Sequence, residues 1–314
     1  MAFTVSQIAA VSYPAVLADM RKPHNQWSDN AALAELERQG FIQKLALGEN
    51  IEIPIDYRSN PDTAILAADQ DEATLIKTEV LTSAVFDIAQ MNVPVTWTKG
   101  DEVRNPSQNE KISLVKSLLE NAIQSHDDLI ESRIFTSSTV GGVELNGLND
   151  LVGNAGTESV GGIDANVESM WRNQTDTFSD GSDIEAAMTE MFNSCAKGSG
   201  SQLQPKVLIS GSATYSLFLS QLQTMQRFVD SKNADAGFST AAFMSARYVF
   251  SQKGGTSIYF LNPKNYQAVV SNNAFRDKGD THPVPGQNAS YFFIYSALQN
   301  VVNNRSRLGV LRQA

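Results

Sequence analysis

Pro106-Ser107-Gln108-Asn109-Glu110, followed by an amphipathic run through Phe135, is the segment on which the reading of this chain turns. Ser107 and Glu110 stand three apart, the spacing at which a hydroxyl and a carboxylate cap a helix N-terminus reciprocally, and Pro106 lies just ahead of them. From there Ile112, Val115, Leu118, Leu119, Ala122, Ile123, His126, Leu129, Ile130, Ile134 and Phe135 recur every three or four residues, while Glu120, Asp127, Asp128 and Glu131 face away. The spacing predicts a single helix over 107–137, a rod of about 45 Å and far longer than the usual globular helix.

On the N-terminal side the pattern changes twice. Ala31 to Leu47 reads as a short helix through Leu33, Leu36, Ile42, Leu45 and Leu47, punctuated by Gly40 and Gly48. Ile51-Glu52-Ile53-Pro54-Ile55-Asp56-Tyr57 alternates strictly, as a half-buried strand does, and Pro54 confines that strand to an edge or a hairpin. A second extended run begins near Lys77, passes Val80, Phe86 and Ile88, and switches phase near Gln90 before Met91, Val93, Val95 and Trp97, as a bulge or bend would require. The polar connection Arg58 to Thr74 is too long for a compact hairpin loop. It reads as an arm ordered by neighbours.

On the C-terminal side, Thr139 to Gly181 is rich in Gly and Asn and reads as loop with short strands. Helices are expected at Asp183–Ala196 and Ala213–Val229. Strands are expected at Lys206–Ser210, Thr256–Leu261, Ala268–Ser271 and Ser290–Ile294, with a last extended run over Leu298–Leu311. The elements interleave without a regular βαβ rhythm, so the class is α+β rather than a doubly wound parallel sheet.

Composition narrows the function. The 314 residues include one cysteine, Cys195, which excludes an intrachain disulfide or a multi-thiolate zinc site. Lys plus Arg number 24 against 34 Asp plus Glu, a net charge of −10, which argues against sequence-specific DNA binding. Met1 to Met20 has no Lys or Arg and makes a poor signal peptide, and no apolar run is long enough for a spanning helix. The expectation is a soluble, intracellular chain without membrane contact.

The chain carries few motifs with chemical meaning. No phosphate-loop glycine motif is present; Gly198-Ser199-Gly200 follows a helix, the wrong order for a nucleotide site. Ser210-Gly211-Ser212-Ala213-Thr214 lacks the second glycine of a nucleophile elbow, and Ser212 reads as a helix cap. Cys195 reads as a small buried hydrophobe. His24, His126 and His282 form no paired metal motif, and His126 sits in the apolar stripe as a hydrogen-bonded core or interface residue. Asp69, Asp71 and Glu72 lack the glycine and distal glutamate of a calcium loop. Asn173, Asn288 and Asn304 head glycosylation sequons that carry no weight without secretion. No catalytic set, cofactor or metal is expected.

Three segments carry a resemblance. Val301-Val302-Asn303-Asn304-Arg305-Ser306-Arg307-Leu308-Gly309-Val310-Leu311 resembles the closing strand of tailed-bacteriophage major capsid proteins with the Hong Kong 97-type capsid fold. Gly147-Leu148-Asn149-Asp150-Leu151-Val152, with Gly161-Gly162-Ile163-Asp164 and Trp171-Arg172-Asn173, is similar to the turn-rich stretch after the long helix of that family. Tyr259-Phe260-Leu261-Asn262-Pro263-Lys264 resembles the strand and turn leading back toward its last domain.

The resemblance implies a Hong Kong 97-like layout: an N-terminal arm at 1–47, an extended loop hairpin at 48–100, a peripheral domain at 101–205 containing the spine helix, an axial domain at 206–285, and return strands of the peripheral domain at 286–314. It implies a virion protein, assembled in the host bacterial cytoplasm, that self-assembles into pentamers and hexamers of an icosahedral shell enclosing DNA, with separate scaffolding and portal proteins. Subunit contacts are expected at Pro54, Tyr57, Arg58, Asp69, Asp71, Glu72, Lys77, Arg305 and Arg307. The family's best-known member has a large removable N-terminal scaffolding segment, whereas about 105 residues precede the long helix here. That member also cross-links through a loop lysine, whereas Asp56 to Thr74 contains none. The rival readings are a tail-tube or decoration protein, against which the long helix argues, and a hydrolase using Cys195 or Ser212 with His282.

Overall fold

A computed structural model of the chain describes residues 30–46, 48–56, 80–104, 108–136, 145–181, 183–197, 203–222 and 241–314. In chain order its strands are β1 (Ile42–Leu45), β2 (Asn50–Asp56), β3 (Leu81–Asp87), β4 (Ala89–Thr98), β5 (Ser159–Val160), β6 (Ile163–Asp164), β7 (Gln174–Phe178), β8 (Val207–Gly211), β9 (Ala241–Phe243), β10 (Ala246–Ser251), β11 (Ile258–Leu261), β12 (Tyr266–Ser271), β13 (Asp277–Lys278), β14 (His282–Pro283), β15 (Ala289–Val302) and β16 (Gly309–Gln313). They form two large sheets and two small hairpins, β2–β3 and β5–β6.

The first sheet is organised by β15. β4 runs antiparallel along one edge of it, from Ala289↔Thr98 to Leu298↔Ala89, and β12, β13 and β14 pair along the other. Alternation in β4 buries Met91, Val95 and Trp97, and alternation in β3 buries Ala84 and Phe86. The phase changes at Ile88, between the two strands, close to the expected switch. The second sheet has the order β7-β16-β11-β8-β10-β9, with β8 buried along its whole length. Helices Ile184–Ala196 and Ser212–Leu222 contribute Met188, Met191, Phe192, Tyr215 and Phe218 to a core shared with this sheet.

The long helix spans Gln108–Phe135, 28 residues, about 42 Å of rod; Ser107, its expected cap, lies outside the described residues. Its first half packs Val115, Leu119, Ala122 and Ile123 against Val95, Trp97, Phe292 and Ile294 of the first sheet. Its second half corrects two expectations. Glu131, assigned to the outer face, is 1% exposed, and Leu129, assigned to the stripe, is 38% exposed. The cause is a second neighbour on the opposite side. Helix Ala31–Arg38 begins at Asn30, whose side chain makes no cap bond; the Glu131 carboxylate instead accepts from the Leu33 N–H at 3.1 Å and from the Ser251 hydroxyl at 2.6 Å. A carboxylate at a helix N-terminus satisfies a free donor and the dipole together.

That same helix stops at Arg38, not at Leu47. Gly40 adopts φ +83°, Phe41 is buried, and Ile42–Leu45 becomes β1, parallel to β12. Apolar residues three apart at Ile42 and Leu45 suit a helix, and in the strand they fall on opposite faces, with Leu45 48% exposed; pairing with the open edge of β12 overrides the local spacing. Residues expected in the arm thus contribute Ala32, Leu33, Leu36 and Phe41 to the main core. Residues 266–285, assigned to the axial domain, pair in the first sheet, while β7 and β16, assigned to the peripheral domain, close the second. The final run divides into β15, which contains buried Asn300, and β16, with the break at Asn303–Leu308.

Because Leu119 is fully enclosed, Leu119→Asp places an unpaired charge in the helix–sheet seam, at a cost of several kcal/mol. Expression should yield insoluble protein. Recovery of soluble protein with an unchanged melting temperature would mean that this seam is not a core.

Candidate assembly site

β15 ends in the first sheet and β16 begins in the second, and Arg305 stands in the short turn between them. The side chain is completely buried. Its Nε donates to the Leu151 carbonyl at 2.8 Å, Nη1 to the carbonyls of Glu158 at 2.8 Å and Trp171 at 3.3 Å, and Nη2 to Asn173 Oδ1 at 2.9 Å and Glu158 Oε2 at 3.5 Å. Every donor of the guanidinium is occupied. Arg305, expected at a subunit contact, is enclosed by its own chain and has no surface to offer a neighbour. Its partner Asn173, the head of a sequon, is buried and donates to the Gly153 carbonyl at 2.8 Å.

Beside this clasp lies the root of the β2–β3 hairpin. Ile51, Ile55, Ala84 and Phe86 are buried beneath it, and the Val85 N–H donates to the Gly161 carbonyl at 3.0 Å. Gly161 has φ +62°, and a Cβ there would meet the Ala84 Cβ at 2.8 Å, so only glycine permits this approach. Pro54, an expected contact residue, lines a groove of about 380 Å³ with Ile55, Ile163, Met170, Trp171 and three asparagines, Asn265, Asn303 and Asn304. The other expected hairpin contacts, Tyr57, Arg58, Asp69, Asp71, Glu72 and Lys77, lie outside the described residues.

Arg307 points the other way, half-buried, donating to the Ala196 carbonyl at the end of helix Ile184–Ala196 at 2.5 Å. The third arginine of the C-terminal run, Arg312, sits in β16, which is paired on both edges, by β11 and β7. Gly309–Gln313 is therefore a paired sheet strand.

The hydrolase residues do not meet. Cys195 is fully buried within hydrogen-bonding reach of Met191, and burial pushes its thiol up to about 12, the reverse of an activated nucleophile. A Cβ on Gly309 would come within 2.6 Å of that sulfur, so glycine is what lets the helix approach β16. Ser212 opens the following helix at an exposed position, whereas His282 lies on β14 of the first sheet, 5.9 Å from the Tyr291 ring. His126 bridges the long helix to the first sheet, with Nε2 2.8 Å from the Ser296 hydroxyl and Nδ1 3.1 Å from Asp127. Among the described residues no helix is long and apolar enough to cross a membrane.

This architecture is the capsid fold of tailed phages, of the Hong Kong 97 type. The chain is similar to the capsid subunit of cyanophage A-1(L), with a TM-score of 0.64, 18% identity, and coverage of 93% of this chain and 95% of that one. The capsid protein of the native GTA particle gives 0.60 at 11% identity, covering 93% and 94%, and that of the myovirus XM1 gives 0.56 at 11% identity, covering 94% and 95%. No protein-family model matches the chain, and no curated protein matches it by sequence.

Removing the guanidinium strands three carbonyls and the Asn173 amide oxygen in the interior and takes the cation from the part-exposed Glu158 carboxylate. Arg305→Met should therefore destabilise the subunit by about 3–5 kcal/mol, and Arg305→Lys should recover little because an ammonium cannot make the fork. Denaturant titration measures this, and a loss under about 1 kcal/mol would contradict the clasp. Separately, Cys195 should resist a thiol reagent at pH 8 in the native protein and react at once in denaturant. Rapid native labelling would place the thiol at the surface.

Proposed function

We propose that this chain is a major capsid protein that self-assembles into pentamers and hexamers of an icosahedral shell around double-stranded DNA. The observation that carries the reading is a fold shared over nine-tenths of the chain with shell subunits of A-1(L) and the GTA particle. The chain works without an active site and resides in the virion, assembled in the host cytoplasm with separate scaffolding and portal proteins. Its net charge of −10 suits a shell wall to which packaged phosphate backbones do not adhere.

The hairpin supplies the intersubunit reach. Pro54, Tyr57, Arg58, Asp69, Asp71, Glu72 and Lys77 are its contact residues, because a long polar connection offsets its ordering entropy only when a neighbour covers it. Arg307 joins them at the far side of the subunit.

Electron microscopy of the expressed protein tests the reading: closed spherical shells are expected, tubes would favour a tail component, and monomers alone would overturn it. Deleting Asn60 to Asp71 should leave a folded subunit, with an unchanged circular dichroism spectrum, that no longer builds shells. Normal shell yield from the deletion would remove the hairpin from the contact.

A further inference from the structure

Helix Ile184–Ala196 turns a row of charges outward. Asp183, Glu190 and Lys197 follow one another at seven-residue spacing over about 21 Å and are all exposed; Asp183 and Glu190 share a face, and Lys197, the C-cap in the left-handed conformation, closes the end of the helix. Glu185 stands beside the acidic end and Arg307 beside the basic end, where Arg307 spends one donor on the Ala196 carbonyl. Among the described residues none of these five side chains has an ion-pair partner. Lys197 and Arg307 are close enough to oppose each other's charge, and burial followed by Arg307 lowers the Lys197 pKa. A cation pair with no acid beside it among the described residues leaves room for an anion at this end of the helix.

We propose that the basic end of this row, Lys197 with Arg307, receives the acidic end, Glu190 with Asp183 and Glu185, of the same helix in the next copy of the chain. The contact rests on the capsid reading and supplies one of its ring-forming joints.

Two arguments select this occupant. The row holds both halves of the contact, and its geometry chooses the symmetry. A two-fold antiparallel arrangement would set Glu190 against its own copy, like charge on like, whereas a head-to-tail arrangement brings acids only to bases, and head-to-tail contacts are the ones that close rings. A DNA phosphate is the other candidate anion, but the carboxylates of Asp183 and Glu190 on one face would repel a polyanion lying along it.

Charges at these ends also complement the helix dipole, acids near the N-terminus and bases near the C-terminus. A charge swap separates the two roles. Lys197→Glu and Glu190→Lys, each at an exposed position, should each reduce shell yield at least tenfold with the melting temperature nearly unchanged. The double variant Glu190→Lys/Lys197→Glu should restore yield to within about threefold of wild type, although its charges now oppose the dipole. Lys197→Gln, which introduces no repulsion, should give an intermediate yield that falls further with added salt. Single variants that assemble at wild-type yield, or a double variant no better than the singles, would overturn the joint. So would duplex DNA binding by the unassembled subunit that Lys197→Glu abolishes while assembly proceeds, since the anion would then be phosphate. If wild type itself never leaves the monomeric state, the capsid reading falls first and this joint with it; if wild type builds shells and the variants do too, only the joint falls.

Discussion

A single buried cation holds this subunit together at the point where its chain changes sheets. Burying a guanidinium is costly unless all its donors are met, and Arg305 meets them with three backbone carbonyls and two side chains, all drawn from Leu151 to Asn173. The irregular, glycine-rich segment is thereby fixed against the turn between β15 and β16. That segment in turn presents Gly161 to Val85 and seats the β2–β3 hairpin. Remove the cation, and the hairpin loses its footing as well as the sheets their joint.

Glu131 does the corresponding work on the other side. From the long helix it caps helix Ala31–Arg38 and binds Ser251 of β10, so one carboxylate joins its own helix to two further elements. Around it Arg247 faces Glu35 at 3.7 Å, Arg276 faces Asp127 at 2.5 Å, and Lys253 pairs with Asp128. Such partly exposed pairs contribute modestly to stability one by one. Their value is orientation: they leave one way for the long helix to lie between the two sheets.

Much of this was legible in the chain itself, wherever a single period governs a long segment. The long helix, the alternation of β3 and β4 with its phase change, and buried β8 all follow from local patterns. What local pattern could not carry was partnership. Ile42 and Leu45 become a strand because β12 offers an edge; Glu131 turns inward because a helix end 98 residues away needs a cap; and Arg305 looks like a surface charge among strand residues until its carbonyl cage is assembled. Of the proposed contact residues, Pro54 and Arg307 lie at the described surface, and Lys197 and Glu190 join them only once the helix is in place. Their sevenfold spacing with Asp183 was the available signal, hidden by reading the helix only for its apolar side.

The central claim is that the Arg305 joint makes the two sheets one mechanical unit, so that forces applied at the hairpin and at the charged helix are borne by a single body. Native-state hydrogen exchange at rising denaturant tests it most directly. Amides of β15 in the first sheet and β16 in the second should open together, with the same free energy and the same denaturant dependence, and Arg305→Met should lower both equally. If β16 opens well before β15 in the wild-type subunit, the sheets are separate units and the claim is wrong.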